Sequence, residues 1–251
     1  MSDRIATGLY DPAFDRDSCG FGLIANIDDQ PSHWVIETAI ASLARLTHRG
    51  AVAADGKTGD GCGLLIKQPE EFFRIKGREL GFDIAQRFAV GMVFLGQDAK
   101  VAKKTRQTIS DAISGKGLEV AGWREVPIDP GVCGAQALKT LPRIEQVFVN
   151  APGGMQRGTF NRQLFLARRR AEKQLGNSDP AAYVASLSSV TISYKGMFMP
   201  GALAQFYPDL KDPAMTSSVC LFHQRFSTNT LPQWRLAQPF RFLAHNGEIN
   251  T

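Results

Sequence analysis

Apolar residues follow two different spacings along the chain, which predicts a mixture of strands and helices. Compact apolar or alternating runs predict strands at residues 20–27, 64–66, 88–95, 118–126, 144–149, 183–187, 190–194, 219–226 and 240–244. Apolar residues three or four apart predict helices between Ser32 and Gly50, in a short stretch after Pro69, and at 99–113 and 160–175. The strands at 183–187 and 190–194 are expected to pair across a short serine turn. No internal repeat or linker interrupts this order, so the sequence predicts one mixed α and β domain.

Residues 55–63, with the sequence DGKTGDGCG, fit neither spacing. Glycine and aspartate at this density predict a loop. The glycines of this loop are not followed by the lysine of a Walker A motif, which argues against a phosphate cradle. The loop is expected to lead from the first helix into the strand at 64–66.

Composition changes this picture little. The chain has 251 residues, 43% of them hydrophobic and 21% charged, which is typical of a soluble globular protein. The net charge of +5 could favour nucleic acid, but the basic residues are dispersed, and the run at 168–170 lies in a helical pattern that predicts a solvated face. Residues 1–18 contain no apolar signal segment, and no stretch approaches the ~18 apolar residues of a membrane helix. These features predict a cytoplasmic protein without nucleic-acid or membrane partners.

The four cysteines are far apart and form no paired ligand motif, so no metal or other cofactor is predicted in this segment. Cys62, Cys133 and Cys220 have small or apolar neighbours, which favours a packing role. Cys220 and His223 are three apart on a predicted strand and should face opposite sides of the sheet.

Cys19 differs from these three because it lies directly before a predicted buried strand and beside two glycines. A thiol there is either packed or reactive. As a nucleophile it would need a base close to its sulfur. Cleavage of the Ser18–Cys19 bond would free an α-amino group with a pKa near ~7.7 to 8.0, which suits proton transfer at neutral pH. Catalysis by Cys19 would therefore depend on removal of residues 1–18.

Three further residues could complete an acyl-transfer site. The Asn246 side-chain amide and the Gly247 N–H could both donate to a developing oxyanion. Arg225 ends a predicted strand before a polar cluster at 227–230, and an arginine can clamp a substrate carboxylate with two hydrogen bonds. Structural roles remain open, because Asn-Gly is also an ordinary turn and Arg225 could form an ion pair.

At this point the sequence resembles a known family. It is similar to the amino-terminal glutamine amidotransferase domain of the glutamate synthase large subunit. The resemblance rests on five segments: CGFGLIANI at 19–27, HRGAVAADGKTGDGCG at 48–63, LPRIEQVFVNAP at 141–152, HQRFSTNT at 223–230 and LAQPFRFLAHNGEINT at 236–251. It implies an α+β fold of the four-layer αββα N-terminal-nucleophile hydrolase type, with mainly antiparallel sheets.

The resemblance also implies a propeptide at 1–18 and a class II amidotransferase domain at 19–251. Cys19 would be the nucleophile, and Asn246 and Gly247 the oxyanion donors. Arg225, Thr228 and Arg49 would bind the substrate L-glutamine, with Arg49 near the nucleophile.

Further expectations concern the rest of such a protein. The chain ends within a polar motif, so we expect the domain to continue beyond residue 251 and the fragment to have open sheet edges. The resemblance implies that ammonia released from glutamine aminates 2-oxoglutarate in other domains holding FMN and an iron–sulfur cluster, with a small flavin- and nicotinamide dinucleotide-binding subunit as partner. Two alternatives remain open: an amidotransferase of another biosynthetic pathway, such as purine or amino-sugar synthesis, and an unprocessed, non-catalytic binding module.

Overall fold

The structure is a computed structural model that describes residues 20–176, 178–224 and 231–240. This part of the chain contains eight strands and six α-helices. The strands are β1 (Phe21–Ala25), β2 (Cys62–Lys67), β3 (Phe88–Leu95), β4 (Glu119–Glu125), β5 (Arg143–Asn150), β6 (Tyr183–Ser188), β7 (Thr191–Gly196) and β8 (Val219–Gln224). The helices are α1 (His33–Arg45), α2 (Glu70–Glu79), α3 (Ala99–Ser114), α4 (Ala135–Lys139), α5 (Arg157–Leu175) and α6 (Leu203–Phe206).

The strands form two antiparallel sheets of four strands each, which confirms the predicted α+β class. The first sheet has the order β1-β8-β2-β7, and the second has the order β4-β5-β3-β6. Helix α1 packs against β1 and β8, whereas α3 and α5 pack against each other on the second sheet.

The second sheet is buried on both faces. Every residue of its strand β3 is buried. Val90 and Met92 belong to the core shared with the first sheet, while Ala89 and Val93 belong to the core beneath α3 and α5. Alternate residues of a strand point to opposite faces, so a continuous apolar run is what this central position requires.

Strand β1 is less buried than the sequence predicts. Phe21 is 51% exposed and Leu23 is 61% exposed. Among the described residues β1 pairs only with β8, at the edge of the first sheet. The apolar run that predicts a buried strand therefore lies at the edge of the sheet formed by the described strands.

The predicted pairing of 183–187 with 190–194 is wrong, because the two strands belong to different sheets. β6 pairs with β3, whereas β7 pairs with β2. The intervening turn is held by side chains, since Ser188 Oγ accepts hydrogen bonds from the backbone N–H groups of Val190 and Thr191. The chain crosses from one sheet to the other here.

Other differences are small. β2 begins at Cys62, inside the predicted loop, and the short helices α4 and α6 were not predicted. Residues 225–226 and 241–244 of the predicted strands lie outside the described residues. No helix in the described ranges has the length and apolar character needed to span a membrane.

Candidate active site

Five of the six predicted site residues lie outside the described part of the chain. They are Cys19, Arg225, Thr228, Asn246 and Gly247. The sixth, Arg49, is described, together with residues adjacent in sequence to Cys19 and Arg225. The geometry of these neighbours is what the structure contributes to the site.

The backbone flanking Cys19 is joined to the backbone flanking Arg225. Strands β1 and β8 are antiparallel, with Phe21 opposite His223. One residue further along, the Gln224 N–H donates to the Gly20 carbonyl at 2.5 Å. A Cβ atom at position 20 would collide with the Gln224 carbonyl oxygen, so glycine permits this close approach. The residue after Cys19 and the residue before Arg225 are therefore hydrogen-bonded neighbours.

Arg49 lies beside this pair. It ends a short 3₁₀ helix, Thr47–Arg49, that continues the chain after α1, and its N–H donates to the Leu46 carbonyl at 2.8 Å. Its Cβ atom is 3.6 Å from where a Cβ on Gly20 would lie. The guanidinium Nε atom is buried. Of the predicted set, Arg49 is thus the one described residue, and it lies next to the neighbour of Cys19.

Two buried polar residues that the sequence did not single out complete this corner. Gln224 is fully buried, and Asp60 is 4% exposed. A Cβ atom on Gly50 would lie 2.9 Å from Gln224 Cδ and 3.1 Å from Asp60 Oδ1, so both side chains approach the backbone that follows Arg49. Gln224 lies opposite Cys62, which places it on the core-facing side of β8 with Cys220 and Phe222. Alternate residues of a strand face the same side, so the position of Gln224 relative to Cys220 and Phe222 would have predicted that its side-chain amide faces the core.

The DGKTGDGCG segment is a hydrogen-bonded loop organised by Asp55. The Asp55 carboxylate accepts hydrogen bonds from Gln136 N at 2.9 Å, Thr58 Oγ1 at 2.6 Å and Thr58 N at 2.8 Å. These hydrogen bonds, of which the one from the Gln136 N–H has the largest effect, hold the pKa of Asp55 well below its usual value. The Ala51 carbonyl accepts from the Asp60 N–H at 3.2 Å. The loop therefore holds Asp60 in place beneath the Arg49–Gly50 corner.

The described thiols are buried and unreactive. Burial raises the pKa of Cys62 far above its usual value, that of Cys133 to about 11 and that of Cys220 to about 12. A thiol nucleophile needs thiolate character and access, so these three cysteines pack as small apolar residues, as predicted. Cys220 and His223 face opposite sides of β8, also as predicted.

A buried lysine on β7 was also missed. Lys195 on β7 is fully buried, and its Nζ atom donates to the Arg235 carbonyl at 3.1 Å. Nζ also lies 4.8 Å from the Tyr183 ring centroid and 4.5 Å from that of Phe240. Burial lowers the pKa of Lys195 to about 7. A lysine in a strand usually faces solvent, so nothing in the sequence pattern signals this position.

Within the described ranges no three His, Cys, Asp or Glu side chains are grouped as metal ligands. The buried charges of Arg124, Asp209 and Asp179 lie in hydrogen-bonded structural networks.

Comparison with known proteins identifies the family. A family model described as "Glutamine amidotransferases class-II" matches residues 19–251. The chain is 42% identical over 247 residues to the glutamate synthase [NADPH] large chain of Bacillus subtilis and 44% identical over 245 residues to that of Azospirillum brasilense. It is 40% identical over 247 residues to the ferredoxin-dependent glutamate synthase 1, chloroplastic/mitochondrial, of Arabidopsis thaliana.

These matches cover 96–98% of the chain but only 15–16% of each relative, so the chain spans about one sixth of their length. The two antiparallel sheets with six described α-helices agree with the N-terminal-nucleophile hydrolase fold of this family. The chain belongs to the class II glutamine amidotransferases.

Proposed function

We propose that the protein hydrolyses L-glutamine to glutamate and ammonia, with Cys19 as an amino-terminal nucleophile exposed by removal of residues 1–18. The observation that carries this proposal is the hydrogen bond from Gln224 to Gly20. This bond joins the residue that follows Cys19 in the sequence to the residue that precedes Arg225, which supports the proposal that both act on one small substrate. The family match, which begins at residue 19, supports the same boundary.

The reaction proceeds through a thioester. The α-amine of mature Cys19 takes the thiol proton, and the thiolate attacks the side-chain amide carbon of glutamine. Asn246 and Gly247 donate hydrogen bonds to the resulting oxyanion. The amine returns the proton to the departing nitrogen, which leaves as ammonia. Water then attacks the glutamyl thioester, so that one glutamine and one water give one glutamate and one ammonia.

The remaining site residues bind and orient the substrate. Arg225 would form two hydrogen bonds with the glutamine α-carboxylate, and Thr228 would support it with its hydroxyl. Arg49 lies beside Gly20 and would stabilise the start of the mature chain. This role is supported by the position of the Arg49 Cβ, 3.6 Å from that of a Cβ at residue 20.

Asn246→Ala in the protein expressed from its complete reading frame tests the oxyanion role. Loss of one oxyanion donor should lower kcat by about 100- to 1,000-fold, with a much smaller change in KM. Asn26→Ala is a matched control, because Asn26 lies in an exposed turn and accepts a hydrogen bond from Gln30 N at 3.2 Å. An Asn246→Ala variant with kcat close to that of the Asn26→Ala control would remove Asn246 from the mechanism.

We further propose that the ammonia is delivered to 2-oxoglutarate in another part of the protein, where it yields a second glutamate. The support is the similarity to glutamate synthases. The same similarity supports the proposal that FMN and an iron–sulfur cluster are held in other domains of the protein. A small flavin- and nicotinamide dinucleotide-binding subunit is the proposed electron-transfer partner.

Substrate profiling tests this wider proposal. Glutamine-dependent formation of two glutamates per 2-oxoglutarate, with NADPH or reduced ferredoxin as donor, is the expected result. Transfer of the ammonia to a purine or amino-sugar precursor instead would place the protein in another biosynthetic pathway.

A further inference from the structure

Lys195 combines complete burial with the absence of a countercharge among the described residues. Its side chain has no exposed surface, and burial alone accounts for the lowering of its pKa, with no described acidic group opposing it. Burying an ammonium group without a carboxylate is costly, so an ordinary core position would favour an apolar residue. The contacts of Lys195 indicate what it does instead.

Two of the three described polar and aromatic contacts of the Lys195 ammonium are with residues 231–240. This segment supplies the Arg235 carbonyl oxygen, 3.1 Å from Lys195 Nζ, and the Phe240 ring, whose centroid is 4.5 Å from Nζ. A second aromatic ring comes from Tyr183 on β6, in the second sheet. An ammonium group over aromatic rings is attracted by their π electrons, and the carbonyl adds a charge-assisted hydrogen bond.

The first sheet makes room for the lysine stem. Lys195 lies directly opposite Gly63 on β2. A Cβ atom on Gly63 would lie 2.5 Å from Lys195 Cβ, so any larger residue there would displace the lysine. The aliphatic part of the Lys195 side chain therefore occupies space that is available because residue 63 is glycine.

The 231–240 segment connects the two stretches that carry the remaining predicted site residues. Residues 225–230 precede it and include Arg225 and Thr228, whereas residues 241–251 follow it and include Asn246 and Gly247. The segment also has other buried residues, among them Trp234, which is 4% exposed and donates from Nε1 to the Ala137 carbonyl at 3.1 Å, and Ala237, which has no exposed surface. Trp234 lies in the middle of the segment, while the Phe240 contact of Lys195 lies at its end.

We propose that Lys195 is a positioning residue that fixes the end of the 231–240 segment and thereby aligns the oxyanion donors with the substrate clamp. This inference rests on the proposed glutaminase function. It assigns to a buried lysine on β7 a role in catalysis that acts through the segment and not through contact with glutamine.

Lys195→Met is the informative substitution. Methionine has a similar length and fills the same volume, and it removes the cost of burying a charge, so the fold should be retained. It cannot donate to Arg235 or attract the rings. We expect kcat to fall about tenfold, which corresponds to ~1.4 kcal/mol, with a smaller change in KM. Amide hydrogen exchange of residues 231–240 should accelerate, while exchange in β2 and β3 stays unchanged.

Lys67→Met is the matched control. Lys67 lies on β2 opposite Thr191, at the other end of the same β2–β7 ladder, and it pairs with Asp29 at the surface. Its substitution should leave kcat, KM and the exchange of residues 231–240 unchanged. Phe240→Leu is a second test that keeps the lysine and removes one ring, and it should lower kcat in the same direction by a smaller factor.

These variants are measured in the protein expressed from its complete reading frame, with glutamine as substrate. Unchanged kcat and unchanged exchange of residues 231–240 in Lys195→Met would overturn the inference while leaving the glutaminase function intact. If the wild-type protein hydrolyses no glutamine, the proposed function fails. Hydrogen exchange would then show separately whether Lys195 holds the segment.

Discussion

The Arg124–Asp209 ion pair should be among the side-chain interactions most sensitive to loss of one partner, and Asp209→Ala tests how the two sheets are held together. The Arg124 guanidinium donates two hydrogen bonds to the Asp209 carboxylate, both at 2.7 Å, and a third to Gln146 Oε1 at 2.8 Å. Gln146 in turn donates to the Tyr194 hydroxyl at 3.1 Å. The network joins β4 and β5 of the second sheet to β7 of the first.

The size of the expected stability loss in Asp209→Ala follows from the burial of both side chains. The Arg124 side chain is 9% exposed and that of Asp209 is 4% exposed. Burial opposes the charge of Arg124, but the hydrogen bonds and negative charge of Asp209 outweigh this and raise the Arg124 pKa. Removing one partner of such a pair leaves a buried charge uncompensated and costs about 3–5 kcal/mol. Replacing both partners, as in Arg124→Met with Asp209→Leu, should recover most of this loss.

Hydrogen exchange measured by mass spectrometry on β4 and β5 provides the assay, because it reports local stability within a large protein. A loss of 3–5 kcal/mol corresponds to about 100- to 5,000-fold faster exchange of the protected amides. Less than a fivefold change in Asp209→Ala would refute the reasoning. So would a double variant as unstable as the single one, since that would show that unpaired charge is not the cause.

Two further predictions concern the frame of the site. Gly20→Ala should lower the free energy of unfolding by about 1–3 kcal/mol, because the alanine Cβ would collide with the Gln224 carbonyl. Glutaminase kcat should fall as well. An alanine variant with wild-type stability and kcat would contradict the close approach. Asp55→Asn should lower the thermal midpoint at neutral pH. Because the folded pKa of Asp55 is depressed, its contribution is present above the unfolded pKa of ~3.9 and is lost as pH falls through the folded value. The difference between wild type and Asp55→Asn should therefore shrink in acid, and a difference independent of pH would show that the carboxylate charge is irrelevant.

The elements with the strongest periodicity were predictable from the sequence. The apolar run of β3 occupies 88–95 in both the prediction and the structure, and α3 differs from its prediction by one residue. Both elements are determined by local patterning, since β3 is buried on both faces and α3 has an apolar stripe with an Asp98 cap. Here local preference and tertiary position agree.

Predictions failed where tertiary position decided the outcome. The apolar residues of β1 could not reveal that this strand lies at the edge of the described sheet, because hydrophobicity does not specify which neighbours a strand acquires. The serine turn after β6 has the composition of a hairpin turn, yet its side chains redirect the chain into the other sheet. Lys195 is the clearest case, since its burial depends on a segment some forty residues away.

The candidate site was predictable mainly as a set of residue types. A cysteine that lacks a neighbouring base, an Asn-Gly pair and an arginine before a polar cluster indicate acyl transfer by their chemistry. The structure adds that Gly20, Gln224 and Arg49 lie together, which no sequence spacing shows. Gln224 and Asp60 were missed because polar residues close to a motif are more often solvated than buried.

Peptide mass mapping after reaction with a glutamine-analogue electrophile tests the central claim most directly. The protein expressed from its complete reading frame is incubated with the electrophile, digested and sequenced by tandem mass spectrometry. The account predicts that residues 1–18 are absent and that the label lies on a peptide whose amino terminus is Cys19, with Cys62, Cys133 and Cys220 unmodified. A chain that retains residues before Cys19 and carries no label on that thiol would contradict it.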